Sequence, residues 1–486
     1  MTDGRRRGAS SQVRRHRVPD WWRDAKLGIF VHWTPASVAA FAPTGAEIGE
    51  LVASRDPAAL AHSPYAEWYE NSLRFPGSPV ALHHAATYGD RPYREFARDW
   101  EAGLDGWDPD AWAARFASTG ARYVVLVTKH HDGYCLWPTS VENPHVARWH
   151  CTRDVVGELA ASVRAAGMRF GVYYSGGLDW TWNEQPIGTF SDLALALPRG
   201  DYPRYAEAQV RELIARYRPS VLWNDIAWPA PSSELARLLV DYYAAVPEGV
   251  INDRFLCWSP LWSLARARPV RNVIDRAVAR AAHKGKGIIP PKPPMFDVRT
   301  PEYTVFDDVQ RTAWECVRGI DHSFGHNRAS REEDFLSRGE LLWSLVDIAA
   351  KGGNLLLNVG PRGEDATIAD AQLQRLDWLA SFTDLHGAAL FGTHPWAHAA
   401  DAAGDTTDVR YTARGDDVFA FVRGPESAPR DLVLEQVVGA PGTRVTAADG
   451  SALPHRATNR GLVVTLDAPL SPVVPTSLAL RAVRPR

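Results

Sequence analysis

The stretch Ser220-Val221-Leu222-Trp223-Asn224-Asp225 is an apolar run of strand character that ends in an indole, an amide and a carboxylate, and Ile226-Ala227-Trp228-Pro229 follows it. Consecutive large apolar side chains leave neither face of a strand suited to water, so the run reads as a buried parallel strand. A carboxylate at the C-terminal end of such a strand occupies the rim on which (β/α) barrels carry their catalytic groups. The flanking indoles offer flat faces on which a sugar ring can stack. Asp225 thus points to glycoside hydrolysis, although by itself it reads equally well as a helix N-cap or turn residue.

The same grammar recurs as far as Leu390. Lys26-Leu-Gly-Ile-Phe-Val31 runs into His32-Trp33, and Ala121-Arg-Tyr-Val-Val-Leu-Val127 into Thr128-Lys129-His130-His131-Asp132-Gly133. Arg169-Phe-Gly-Val172 leads to Tyr173-Tyr174-Ser175-Gly176, and Gly249-Val-Ile251 leads to Asn252-Asp253-Arg254. Cys316-Val-Arg-Gly-Ile320 precedes Ser323-Phe324-Gly325, and Asn354-Leu-Leu-Leu357 precedes Asn358. Between these runs lie amphipathic helices. One starts at Arg153 and stops at Gly167, and another runs from Tyr202 to just before Pro219. A third is expected from an N-cap at Ser330, with Glu332, Glu333 and Asp334 in its positive first turn and Leu341, Leu342, Leu345 and Ile348 as its stripe. Helix and buried strand in alternation predict a parallel sheet covered by helices, and polar residues at so many strand ends favour a closed barrel over an open sheet.

After Pro395 the pattern changes. Ala397 to Thr407 reads as a small-residue, polar joint, and short strands around Val409, Val418, Leu432, Arg444, Leu462 and Leu478 follow, separated by Gly, Pro, Asp and Asn turns. That spacing predicts an antiparallel β-sandwich. The expected organisation is a disordered basic tail over 1–20, a catalytic (β/α) barrel over 21–396 and a β-sandwich over 397–486.

Composition bounds the partners. The chain has 486 residues, 45% hydrophobic and 23% charged, with a net charge of −3, which suits a soluble barrel plus a small domain. Basic residues concentrate only in the N-terminal tail and near residues 266 to 292, so neither nucleic acid nor membrane is an expected partner. No apolar leader or membrane-length run is present, which predicts a cytoplasmic protein. The four cysteines form no CxxC pair and read as reduced thiols.

His130-His131 raises the question of metal. Adjacent residues on an ideal strand point to opposite faces, so the two can share a ligand only where the chain bends. No HxH or HExxH spacing is present. Binding of sugar hydroxyls is the expected role, and no metal or cofactor is expected.

Eight ordered motifs then carry a family resemblance. They are Trp22-Arg-Asp-Ala-Lys-Leu-Gly-Ile-Phe-Val-His-Trp33, Tyr65-Ala-Glu-Trp-Tyr-Glu-Asn71, Thr128-Lys-His-His-Asp-Gly-Tyr-Cys-Leu-Trp137, Gly171-Val-Tyr-Tyr-Ser-Gly-Gly-Leu-Asp-Trp180, Val221-Leu-Trp-Asn-Asp225, Ile251-Asn-Asp-Arg254, Ser323-Phe-Gly-His-Asn327 and Gly352-Gly-Asn-Leu-Leu-Leu-Asn-Val-Gly-Pro361. From Trp21 onward the chain resembles bacterial retaining α-L-fucosidases, which implies an irregular (β/α) barrel, a β-sandwich and no metal. The resemblance makes Asp225 the nucleophile and Glu302, in Glu302-Tyr303, the general acid/base. It makes His32, Glu67, Trp68, His130, His131, Tyr173, Trp223, Arg254 and Phe324 substrate-binding residues. The implied substrate is a fucosylated oligosaccharide or glycoside, whose C6 methyl group calls for an apolar corner such as Phe324, Trp223 and Trp68 provide.

The chain departs from the pattern in two places. Thr34-Pro35 follows His32-Trp33 where the family has a glycine, and a long Arg-, Lys- and Pro-rich segment, with an insertion at about 256–296, separates Arg254 from Glu302. The insertion reads as helical over Val273 to Ala282 and non-helical over the prolines that follow, and it leaves Glu302 on a loop. Glu315 is the rival acid/base, with Glu67 third. Two other functions fit the same scaffold: a barrel glycosidase for a different sugar, and a carbohydrate-binding protein without turnover. Oligomeric state is open, a homo-oligomer included.

Overall fold

The computed structural model describes residues 2–54, 56, 58–283, 287–402 and 407–486. Seven strands form one parallel sheet: β1 (Leu27–Val31), β2 (Tyr123–Lys129), β3 (Arg169–Ser175), β4 (Val221–Asp225), β5 (Val250–Ile251), β6 (Trp314–Gly319) and β7 (Gly353–Val359), in the order β5-β4-β3-β2-β1-β7-β6. All their residues are buried except Arg169 and Arg318, as a sheet covered on both faces requires.

The two edges of this sheet are joined by residues 298–302. Parallel bridges pair Asn252 with Val298, Arg299 with Trp314, and Glu302 with Val317. Val298 N–H donates to Ile251 O at 3.2 Å, Glu315 N–H to Arg299 O at 2.8 Å, and Val317 N–H to Pro301 O at 2.9 Å. The segment acts as an eighth stave and closes the barrel. Asp253, at the end of β5, fixes it: its buried carboxylate accepts from Arg299 Nε at 2.6 Å, Thr300 N–H at 3.0 Å and Thr300 Oγ1 at 2.6 Å. Glu302 therefore stands at the end of a stave of the barrel wall, where the sequence predicts a loop.

Helices Val155–Ala165 and Tyr202–Tyr217 lie where the apolar stripes predict them; Asp154 caps the first through Gly157 N–H at 2.9 Å. The third helix differs from expectation. It spans Arg338–Ala350 and starts at Ser337, whose side chain and that of Glu340 form a capping box. Ser330 instead donates to Asp321 at 2.7 Å, and Glu332–Asp334 is a separate 3₁₀ turn. A Ser-x-x-Glu pair satisfies two orphan N–H groups at once, which a cluster of acids upstream does not.

The insertion contains a 3₁₀ turn at Pro260–Arg266 and a helix at Arg268–His283, which packs on the helices Phe190–Ala196 and Ile48–Ser54. The N-terminal segment, expected to be disordered through residue 20, forms a helix at Thr2–Val13. Val13 is buried, and His16 stacks on Tyr243 and meets Asp297 Oδ1 at 2.9 Å, which supplies the anchoring that charge composition did not suggest.

The C-terminal region packs two antiparallel sheets around one apolar core. One has the order β12-β15-β10-β9-β8 and the other β11-β14-β13, from β8 (His394–Ala402), β9 (Asp408–Arg414), β10 (Asp417–Arg423), β11 (Asp431–Leu434), β12 (Val437–Ala447), β13 (His455–Thr458), β14 (Gly461–Thr465) and β15 (Thr476–Pro485). Much of the stretch read as a polar joint is the edge strand β8; residues 403–406 of it lie outside the described residues. Strand β13 is fully exposed, so it carries no alternation to read. Among the described residues no helix is long and apolar enough to cross a membrane.

Candidate active site

The strand ends and their loops enclose one cavity at the C-terminal rim. His32, Glu67, Trp68, His130, His131, Tyr173, Trp223, Asp225, Arg254, Glu302 and Phe324, every site residue named from the sequence, line it together. Glu315 does not. It lies beneath the floor, fully buried, accepting from Tyr123 OH at 2.7 Å and Trp223 Nε1 at 3.1 Å. Burial raises its pKa to about 7.

Asp225 ends β4, and its carboxylate is held from three sides. Oδ1 accepts from Ile226 N–H at 2.8 Å and Arg254 Nη1 at 3.2 Å, and Oδ2 from Tyr173 OH at 2.8 Å. Ile226 sits at φ +67°, a strained conformation for a β-branched residue, which turns the chain sharply at the carboxylate. Hydrogen bonds from rigid elements and the guanidinium fix the orientation of this carboxylate.

Arg254 spans both acids. Its Nη2 donates to Glu302 Oε2 at 2.7 Å, and its guanidinium lies over Trp223 with 4.9 Å to the ring centroid. Burial disfavours its charge, but the carboxylates of Glu302 and Asp225 outweigh burial and raise its pKa. Glu302 Oε1 accepts from Tyr65 OH at 2.6 Å. The backbone of Glu302 exchanges two hydrogen bonds with Ile288, at 2.9 and 2.8 Å. Next to Ile288, a Cβ on Gly287 would stand 1.9 Å from Glu302 O, so only glycine allows the two segments this close.

The histidines share one logic. Between Val127 and Lys129 the register of β2 against β3 slips, and the strand ends, so His130 and His131 escape strand alternation and both face the cavity, ring centroids 4.0 Å apart. Below them the buried pair Lys129 Nζ and Asp179 Oδ2, 2.8 Å apart, anchors the turn. Ser175 Oγ donates to Leu178 O at 2.7 Å, so at 2.6 Å it accepts the Nδ1 hydrogen of His131. Asn358 Nδ2 donates to Phe324 O, which leaves Asn358 Oδ1 to accept from His32 Nδ1 at 2.5 Å. Burial lowers the pKa to about 3 for His32 and about 4 for His131, and well below the usual value for His130. At neutral pH, His32 and His131 thus present bare Nε2 acceptors to the cavity, suited to donating sugar hydroxyls. His130 Nδ1 is buried with no hydrogen-bond partner among the described residues.

Glu67 behaves differently from Asp225. Its Oε2 accepts from Gly325 N–H at 2.7 Å, while burial raises its pKa to about 8. The protonated form is the resting one at neutral pH. Because the folded value lies above that of an unfolded Glu, about 4.3, the stabilisation is complete below that pH and is lost as pH rises through about 8. Glu67→Gln, which mimics the protonated acid, should therefore flatten the decline of Tm between pH 5 and 8.5 and move the alkaline fall of kcat/KM away from pH 8. A thermal-melt series with pH-rate profiles checks this, and an unmoved alkaline limb counts against it.

Several lining residues escaped sequence reasoning: Ser63, Tyr65, Ile226 and Ile288, with Ile48, Leu60, Phe190, Leu193 and Val317 extending the apolar wall. Tyr65 had a signal in its motif but no spacing that assigns it to an acid. Among the described residues no three His, Cys, Asp or Glu side chains group as metal ligands.

The chain that builds this cavity is similar to known proteins along most of its length. Residues 5–388 match the alpha-L-fucosidase family. The Dictyostelium discoideum alpha-L-fucosidase is 27% identical, covering 90% of this chain and 84% of its own, and the human tissue alpha-L-fucosidase is 26% identical, covering 88% and 80%. A Thermotoga maritima alpha-fucosidase solved with a mechanism-based inhibitor is 35% identical, covers 97% of this chain and 98% of its own, and superposes with a TM-score of 0.79. The matched region contains the entire barrel and every residue of the cavity, and the chain belongs to the alpha-L-fucosidases of glycoside hydrolase family 29.

Proposed function

We propose that the protein releases terminal α-L-fucose by retaining double displacement, with Asp225 as nucleophile and Glu302 as acid/base. The observation that carries this reading is the sharing of Arg254 between the two carboxylates, at 3.2 and 2.7 Å. Asp225 attacks C1 and forms a fucosyl ester while Glu302 protonates the departing oxygen; Glu302 then takes a proton from water, which hydrolyses the ester with net retention. An O–H on Oε2 that donates to the departing oxygen needs the side of that atom that Arg254 Nη2 occupies at 2.7 Å. On this reading the leaving oxygen replaces Arg254 Nη2 at Oε2, and Arg254 remains on Asp225. Tyr65 keeps Oε1.

The neutral histidines and protonated Glu67 bind ring hydroxyls, and the apolar wall receives the C6 methyl. Fucose is supported as the sugar by a Thermotoga maritima alpha-fucosidase solved in complex with fucose, 35% identical over 97% of this chain. The direct test is release from a panel of aryl glycosides with and without chelator. Activity confined to the α-L-fucoside and unchanged by chelator is the expected result; activity on another sugar alone, or its loss with chelator, contradicts the proposal.

A further inference from the structure

Next to the catalytic cavity lies a second cleft of about 530 Å³, ample for one or two saccharide units. Leu60 and Phe190 line both, so the two share a wall. The outer wall of the cleft is the helix Arg268–His283 of the insertion, and the same insertion returns to the catalytic cavity as Ile288, bonded to the backbone of Glu302. The proton donor faces the bond that breaks, so the side nearest Glu302 is where the rest of the substrate leaves. The insertion ties the cleft to that side, because Ile288, beyond its helix, bonds the backbone of Glu302.

Its charges fall into two groups. Arg271 pairs with Asp192, and the carboxylate of Asp275 accepts from Ser191 N–H at 3.0 Å and Ser191 Oγ at 2.8 Å. These contacts fasten the insertion helix to Phe190–Ala196. Arg268 and Arg276 are exposed and form no ion pair among the described residues. Asp56, the other carboxylate of the cleft, accepts from Ala58 N–H at 2.9 Å and lies 4.0 Å from His62. Two guanidiniums thus remain to receive oxyanions, which arginine binds bidentately.

We infer that this cleft is an aglycone subsite for an anionic saccharide, a sugar carrying a carboxylate or a sulfate that meets Arg268 and Arg276. The inference rests on the fucosidase reading and adds the class of aglycone.

The experiment compares wild type with the Arg268→Gln/Arg276→Gln double variant on four substrates: an aryl α-L-fucoside, a neutral fucosylated trisaccharide, and the same trisaccharide bearing a carboxylate or a sulfate. Wild type should favour the anionic substrates by tenfold or more in kcat/KM at low salt, through KM, with the preference fading as ionic strength rises. The double variant should lose the preference and keep its activity on the aryl fucoside within twofold. A wild type without preference, or a preference that survives in the double variant, overturns the inference. If even the aryl fucoside is not cleaved by wild type, the fucosidase reading fails. Calorimetric binding of the fucose-free anionic disaccharide then decides the cleft separately: weakening in the double variant supports it, and equal or absent binding rejects it.

Discussion

Asp225→Gly is expected to lower turnover of an aryl α-L-fucoside by at least about a thousandfold while the barrel stays folded. The carboxylate accepts from Ile226 N–H, Tyr173 OH and Arg254, and no other acid of the cavity occupies the end of β4. Glycine removes the nucleophile and leaves a space bordered by those three donors. Azide should enter that space, attack C1 from the face Asp225 occupied and restore part of the activity, with β-L-fucosyl azide as product. That product is diagnostic, because attack on an α-fucoside from the nucleophile's side inverts the configuration. A variant that keeps a tenth of wild-type turnover, or azide that accelerates nothing, would mean that another group forms the covalent bond.

The second large effect is expected at Glu302. Glu302→Ala should reduce cleavage of fucosides with poor leaving groups by about 10²–10⁴-fold, the usual contribution of general acid catalysis. Activated aryl fucosides, which leave without a proton, should still fucosylate Asp225 and give a burst, because the base for the second step is also gone. Two other carboxyls test the assignment. Glu67 is kept protonated near neutrality, with a pKa of about 8, and faces the same cavity, while Glu315 is raised to about 7 beneath the floor. Glu67→Gln and Glu315→Gln should change all leaving groups alike. If either shows the leaving-group dependence and Glu302→Ala does not, the proton donor is that residue. In a ligand-bound structure the Asp225 and Glu302 carboxyls should lie about 5–5.5 Å apart, as retention requires.

The cavity was legible because its residues follow buried strands. Alternation of apolar run and polar end locates His32, His130, Tyr173, Asp225 and Arg254 on one rim without any knowledge of contacts. What escaped the sequence is set by tertiary contact. The closing stave contains Pro301, which lacks a ladder donor, and it pairs by single bridges, so it carries no strand pattern. Tyr65 and Ile288 reach the cavity because Glu302 draws them there. The insertion could be read as helix and proline-rich return, but the Ile288–Glu302 bonds join residues on either side of a non-helical run and leave no local signal. Likewise the helix at Thr2–Val13 is stabilised by a partner surface that composition cannot reveal.

Asp253 adjoins Arg254 in the chain and grips Arg299 and Thr300 across the seam of the barrel. Placement of Glu302 relative to Asp225 is thus set from β5 sideways through this carboxylate, and of the chain looped out between Phe255 and Met295 it is the contact of Ile288 that enters it. Outside that contact, a looped-out part that is lengthened, shortened or exchanged still returns to the same notch, with Glu302 at the same height on the rim.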